Sequence, residues 1–321
     1  MPKIVILDAY TTNPGDLSWD WLNQYGETEI FDRTPCDKIT ERVKDADVVI
    51  TNKTPLTAET IDKMEKCKFI ALLSTGYNIV DWEYAAKKGI PVSNIPTYST
   101  MAVAQLVFAF ISELCNGVGL HSADVRNGGW SSCPDFCYWK QPLTELCGKT
   151  IGIIGFGKIG QAVADIAGAY KMNILAVSGH ETDQSDRKNF KWASLDGLLR
   201  NSDIITLHCP LTDKTRNLFN RDVFKKMKKS AFLINTSRGP VVNEDDLYEA
   251  LKNGEIAAAA ADVLCKEPMA KDCRLAELDN ITITPHIAWA SDEAKKRLYD
   301  ITLSNFKNWL GGKPTHEVQN G

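Results

Sequence analysis

The sequence reads as an α/β protein made of two parallel-sheet units, and three observations carry that reading. Short β-branched runs alternate with amphipathic helical stretches from the first residues onward, the pattern of βαβ units. The alternation pauses once, between about residues 100 and 148, and then resumes. The length of 321 residues exceeds what one hydrophobic core usually serves.

In the first series the strand runs are KIVILD from Lys3, DADVVIT near residue 47, KFIALLS near 70 and IPVSN near 92. Thr57 and Asp81 stand where the following helices need N-caps, and Gly89 stands where a helix can stop. From about Thr100 to Arg126 the sequence reads as one long helix with apolar residues on more than one face, so broad burial is expected. The segment GGWSSCPDFCYWKQPLTEL then carries Trp130, Phe136, Tyr138 and Trp139 with no clear period. It reads as an ordered excursion that either meets another subunit or folds back on its own domain. The second series, TIGIIG, NILAVS, DIITLHCP, AFLINTS, AAAAADV and ITITPH, is nearly continuously apolar, as strands covered on both faces are. A final amphipathic helix stops at Gly311-Gly312 and leaves a short tail.

Composition narrows the function. Acids and bases are mixed along the chain to a net charge of −4, and no basic run marks a nucleic-acid or anionic-membrane footprint, so a small-molecule partner is expected. The start of the chain lacks the pattern of a secretory leader and no apolar run approaches the roughly 20 residues of a membrane span, so a cytoplasmic location is expected. Nine scattered cysteines fit free thiols. Cys133 and Cys137 have no second Cys/His pair near them at ligand spacing, so no metal site is expected.

The motif Gly155-Phe156-Gly157-Lys158-Ile159-Gly160 follows an apolar strand and opens the helical stretch QAVADIAGAY. In that context Gly155 permits the tight turn, Gly157 admits a pyrophosphate and Gly160 lets helix and strand pack closely. The helix N-terminus offers free N–H groups and a positive dipole end to the phosphates. The expected ligand is a dinucleotide. The acid that commonly ends the next strand and binds a ribose hydroxyl is replaced here by Ser178-Gly179-His180. Ser178 can bond either form and Arg187-Lys188 lie further along, so NAD and NADP both remain open.

Six segments in order, LSTGYNIVD, GKTIGIIGFGKIG, LHCPLTDKT, FLINTSRGPVVNEDDL, AADVLCKEP and TPHIAW, make nearly the whole chain resemble the D-isomer-specific 2-hydroxyacid dehydrogenases, especially the hydroxypyruvate reductase (glycerate dehydrogenase) members. The resemblance implies two doubly wound parallel-sheet domains: a Rossmann NAD(P)-binding domain over residues 101–286, inserted into a flavodoxin-like substrate domain formed by 1–100 plus 287–321, with the active site in the cleft. It implies a homodimer acting on a small 2-keto or 2-hydroxy acid.

The resemblance also implies the site. Arg238, Glu267 and His286 match the catalytic triad of that family: the imidazole delivers a proton to the ketone oxygen, the carboxylate orients and charges the imidazole, and the guanidinium fork binds the substrate carboxylate and carbonyl. Cys209, Pro210, Thr215 and Thr236 match positions bordering the cofactor, and Asp262 the one that holds the nicotinamide amide. Thr75 and Gly76 match the substrate loop, whose N–H groups hold the carboxylate, and Lys53 is placed in the same cleft. Formate dehydrogenases of the family pair their His with Gln, so Glu267 argues against that activity. The alternative is a dinucleotide-sensing, protein-binding module like the related corepressors; the short tail weighs against it.

Overall fold

The computed structural model describes residues 1–318; positions 319–321, the end of the expected tail, lie outside the described residues. Along the chain run β1 (Lys3–Ile6), β2 (Glu27–Ile30), α1 (Ile39–Val43), β3 (Val48–Thr51), α2 (Ala58–Asp62), β4 (Phe69–Leu72), α3 (Trp82–Lys87) and β5 (Val92–Ser93). Two helices follow, α4 (Thr100–Asn116) and α5 (Val118–Arg126). The second series is β6 (Thr150–Ile154), α6 (Lys158–Ala169), β7 (Asn173–Val177), β8 (Phe190–Trp192), α7 (Leu195–Asn201), β9 (Ile204–Leu207), α8 (Arg221–Phe224), β10 (Phe232–Asn235), α9 (Glu244–Lys252), β11 (Ala258–Ala261) and β12 (Ile281–Ile283). The closing helix is α10 (Asp292–Leu310). The chain divides into two compact units, Met1–Ser99 with Ala290–Gly321, and Thr100–Trp289.

In the first unit the strands pair in parallel in the order β2-β1-β3-β4-β5. One face of the sheet packs Val5, Val49, Ile70 and Val92 against Ile39 and Val43 of α1, Ile61 of α2 and Ala85 of α3. On α10, Phe306 is fully buried and Trp309 stacks on Phe69 of β4 with ring centroids 5.0 Å apart. Thr57 and Asp81 cap α2 and α3 through side-chain oxygens that accept from Thr60 and Tyr84 N–H groups, and Gly89 takes a positive φ after α3. The strand β2 carried no apolar alternation in its sequence because ETEI lies at the sheet edge and stays partly exposed along its length.

The second unit holds a seven-stranded parallel sheet in the order β12-β11-β10-β9-β6-β7-β8. From β6 the chain steps outward to β7 and β8, then returns to β9 on the other flank, so the strand order reverses between β6 and β9. Open α/β sheets bind ligands at the carboxyl ends of strands beside such a reversal. Helices α4 and α6 cover one face, and α7, α8 and α9 the other.

The single helix expected over residues 100–126 is two helices. Gly117 takes φ +54°, which only glycine adopts freely, and the chain bends by 57° there. Broad burial holds for α4, with Val103, Val107, Phe110 and Ile111 in the core, whereas α5 buries no residue. No single helix among the described residues is long and apolar enough to cross a membrane; the bent α4–α5 pair meets that test by length and composition alone.

Gly152, in the middle of β6, lets α7 pack close to the sheet: a Cβ there would lie 2.4 Å from Ser202 Oγ and 2.6 Å from Leu198 Cδ2. Overpacking of this kind costs about 1–3 kcal/mol. The Gly152→Ala variant is therefore expected to unfold at distinctly lower urea concentration than the wild type, and an unchanged midpoint would show that α7 yields without cost.

Candidate active site

The dinucleotide motif adopts the geometry its glycines foreshadow. Gly155 has φ +92°, and a Cβ on it would lie 2.5 Å from the Cys209 backbone nitrogen, so the turn presses directly on the chain leaving β9. A Cβ on Gly160 would meet Gly155 O at 2.3 Å, the close helix–strand packing expected of the third glycine. Gly157 has no heavy atom within 4 Å of where its Cβ would be, and no side chain caps α6, which starts there. Phe156 is buried against Phe190 and Trp192, while Lys158 and Ile159 form the first turn of α6. The Thr236 hydroxyl is out of solvent with no hydrogen-bond partner. An open glycine face, an uncapped helix N-terminus and an orphaned buried hydroxyl are what a bound dinucleotide requires.

Other predicted cofactor residues are partly committed to their own turns. Ser178, just beyond β7, accepts from His180 N–H at 3.3 Å. Thr215 donates to Pro210 O at 2.6 Å and accepts from Thr212 N–H at 2.7 Å, shaping the turn after Cys209. Arg187 pairs with Asp165 on α6 and donates to Gln184, and its guanidinium lies 5.7 Å from the Phe156 ring centroid. Burial pushes the Cys209 thiol up, and burial with the nearby Glu244 carboxylate pushes Cys265 up to about 12, so neither is a ready nucleophile. Among the described residues no cluster of His, Cys, Asp or Glu is placed to hold a metal ion, and all nine cysteines are unpaired.

The three predicted catalytic residues follow three adjacent strands at one edge of the sheet: Arg238 after β10, Glu267 after β11 and His286 after β12. Asn235, at the end of β10, shapes the first of these turns: its amide carbonyl accepts from the Ser237 N–H and hydroxyl at 3.0 Å each, and its NH₂ donates to Arg238 O at 3.0 Å. Gly239 lets this turn lie against the next one, because a Cβ there would fall 2.0 Å from the Leu264 carbonyl carbon. Glu267 Oε1 accepts from Leu264 N–H at 3.1 Å, and Oε2 lies 2.7 Å from His286 Nδ1. The pair is partly open to solvent, with side-chain exposures of 38% and 29%.

His286 sits at φ +55°, in the left-handed region. Asp262, 1% exposed at the end of β11, holds it there. Its Oδ1 accepts from the Thr284 hydroxyl at 2.5 Å and Ile287 N–H at 2.8 Å, its Oδ2 from Ala288 N–H at 2.8 Å, and its backbone carbonyl from His286 N–H at 2.9 Å. His208, the other histidine beside the sheet edge, lies one residue beyond β9 rather than within it. It shares a 2.8 Å hydrogen bond with the Thr206 hydroxyl, and burial pushes its imidazole down to about 3, so it stays neutral. Asn235 and Thr284 were not singled out from sequence; Asn235 does close an apolar strand run, the only available signal.

In the first unit, Lys53 lies exposed in the turn after β3 and Thr75-Gly76 in the turn after β4. The Thr75 hydroxyl donates to Ile95 O, its carbonyl accepts from the Asn94 side chain, and Ser74 donates to Gly76 O. These two turns share the carboxyl edge of neighbouring strands.

A parallel sheet with a glycine loop at its order reversal, and a Glu–His pair after the strands three and four places from it, suits a dinucleotide-dependent oxidoreductase. Residues 108–288 match the NAD-binding domain of the D-isomer-specific 2-hydroxyacid dehydrogenases. The chain is 45% identical over 319 residues to a hydroxypyruvate reductase of Blautia hydrogenotrophica, with 98% of this chain and 99% of that one covered. It is 37% identical over 320 residues to a glycerate dehydrogenase of Methylorubrum extorquens, with 99% of each covered. An acyclic imino acid reductase solved with NADPH and D-Arg superposes at a TM-score of 0.87 and 31% identity, covering 99% of this chain and all of the other. The chain belongs to the D-isomer-specific 2-hydroxyacid dehydrogenase family, and it uses NAD(P).

Proposed function

We propose that this enzyme reduces hydroxypyruvate or glyoxylate to D-glycerate or glycolate, and runs the oxidation in reverse, with His286 as general acid/base, Glu267 as its partner and Arg238 as the ligand of the substrate carboxylate and carbonyl. The observation that carries the reading is the 2.7 Å contact between His286 Nδ1 and Glu267 Oε2. With Nδ1 engaged, Nε2 is the nitrogen left to carry the proton. The ketone oxygen gains negative charge during reduction, and a proton delivered to it from Nε2 neutralises that charge. Arg238 offers two parallel donors to the planar carboxylate, which a lysine could not.

The cofactor-binding residues are Gly155 to Gly160 for the pyrophosphate, Ser178 for the adenosine ribose, and Cys209, Pro210, Thr215, Thr236 and Asp262 toward the nicotinamide end. When bound, the nicotinamide supplies or accepts the hydride. A carboxylate has about four acceptor positions; the 284–288 turn uses three on Asp262, so one remains for the nicotinamide amide. The absence of an acid at Ser178, which removes the repulsion toward a 2′-phosphate, favours acceptance of both NADH and NADPH. In the first unit, Lys53 and the N–H groups of Thr75 and Gly76 contact the substrate carboxylate.

The functional unit is a homodimer, and the unpaired thiols suit the cytoplasm. The 127–143 segment lies along α5, with Tyr138 OH donating to Asp124 and Lys140 N–H to His121. Val118, Leu120, Trp130, Phe136, Trp139 and Leu143 are exposed there, Phe136 at 88% and Trp139 at 66%. An apolar surface of this kind marks an interface.

Initial rates with NADH and NADPH against hydroxypyruvate, glyoxylate, pyruvate and phenylpyruvate test the substrate assignment; fastest turnover is expected with one of the first two, and a preference for phenylpyruvate would overturn it. In His286→Ala the reduction rate is expected to fall by about 10²–10⁴ while NADH affinity is retained; lost cofactor binding would instead make the residue structural. Light scattering is expected to give twice the 35.6 kDa chain mass, with Phe136→Asp/Trp139→Asp reduced to the monomer. A monomeric wild type would refute the dimer.

A further inference from the structure

Asp8, two residues beyond β1, carries a carboxylate that is only 5% exposed. Three consecutive backbone N–H groups of the turn after β3 converge on it: Asn52 N–H donates to Oδ1 at 2.8 Å, and Lys53 and Thr54 N–H donate to Oδ2 at 2.6 and 2.7 Å. The Thr51 hydroxyl adds a longer contact at 3.4 Å. The Asn52 side chain ties the same turn to Thr11, through a 2.9 Å bond to that hydroxyl. Successive N–H groups curled around an oxygen make an anion nest, and here the anion belongs to the protein.

A buried carboxylate is costly unless its acceptors are filled, and backbone donors fill these. The sequence neighbours of Lys53 are buried while Lys53 itself is exposed, so the backbone of the turn is anchored and the cationic side chain reaches the surface. The strands β1, β3 and β4 are adjacent, so Asp8, Lys53 and the Thr75-Gly76 turn share one carboxyl edge of the sheet, the edge at which open α/β sheets meet their ligands.

We infer that Asp8 is a positioning residue for the substrate carboxylate: by gathering the 52–54 backbone it fixes where Lys53 is presented. The inference rests on the proposed contact of Lys53 with substrate. Asp8→Asn replaces one acceptor oxygen by an NH₂ that faces N–H donors, so the turn must shift. Charge-assisted hydrogen bonds carry effects of roughly ten- to hundredfold.

The test is a double-mutant cycle on KM for hydroxypyruvate, with kcat and KM for NADH measured alongside. Lys53→Ala is expected to raise the hydroxypyruvate KM roughly tenfold or more with kcat little changed, the signature of lost uniform binding. Asp8→Asn is expected to do the same, and the double variant to be no worse than Lys53→Ala alone. Asp8→Glu, which keeps the charge but lengthens its arm, is expected to raise KM as well and serves if Asp8→Asn does not fold. An unchanged KM in Lys53→Ala removes Lys53 from the substrate site and the inference with it. If Lys53→Ala has its effect while the Asp8 variants lower only kcat through loss of folded enzyme, leave KM unmoved, or multiply with Lys53→Ala, then Asp8 is overturned and the Lys53 contact stands.

Discussion

The turn between residues 284 and 288, on which the proposed chemistry depends, is held by one carboxylate. Left-handed backbone costs a non-glycine residue about 1–2 kcal/mol, and His286 adopts it at φ +55°. Asp262 makes that conformation stable by accepting from the Thr284 hydroxyl and the Ile287 and Ala288 N–H groups, while its own carbonyl takes the His286 N–H. Strain held by its surroundings is common where a side chain must be aimed. Here the aim brings Nδ1 to Glu267.

The same device recurs at the other sheet. Asp8, like Asp262, stands at the carboxyl end of a parallel strand and is almost fully buried. Each draws in the backbone N–H groups of the turn after a neighbouring strand. Parallel sheets leave their carboxyl-edge loops without ladder partners, and buried polar backbone must be satisfied from somewhere. A buried Asp meets that need and anchors the loop that carries Lys53 or His286, the side chains proposed to meet the substrate. Asn235 performs the neutral version for the turn that carries Arg238.

Much of this was legible in the sequence. The apolar strand runs, the caps at Thr57 and Asp81 and the glycine loop at 155–160 are local signals with local causes, and the structure shows each in place. The D-2-hydroxyacid dehydrogenase resemblance and the oxidoreductase class were legible for a different reason, the presence of six ordered motifs. The bend at Gly117 was missed because the apolar content of α4 runs into that of α5, although only α4 is buried. Strands β2 and β8 were missed because ETEI and FKW mix polar with apolar residues at partly exposed sheet edges and carry no apolar run. The organising acids were harder still. That Asp262 would also clamp the 284–288 turn, and Asp8 gather the 52–54 turn, was not read, because a partner 22 to 46 residues away leaves no trace in spacing.

The central claim is that Glu267 acts on substrate through His286, as one unit. The most direct measurement is kcat/KM for hydroxypyruvate reduction in Glu267→Gln, His286→Ala and the variant carrying both. Residues that act as a unit lose their effects together, so the double variant is predicted to be no slower than His286→Ala alone. Losses that multiply would mean that the carboxylate and the imidazole serve the reaction independently, and would contradict the account.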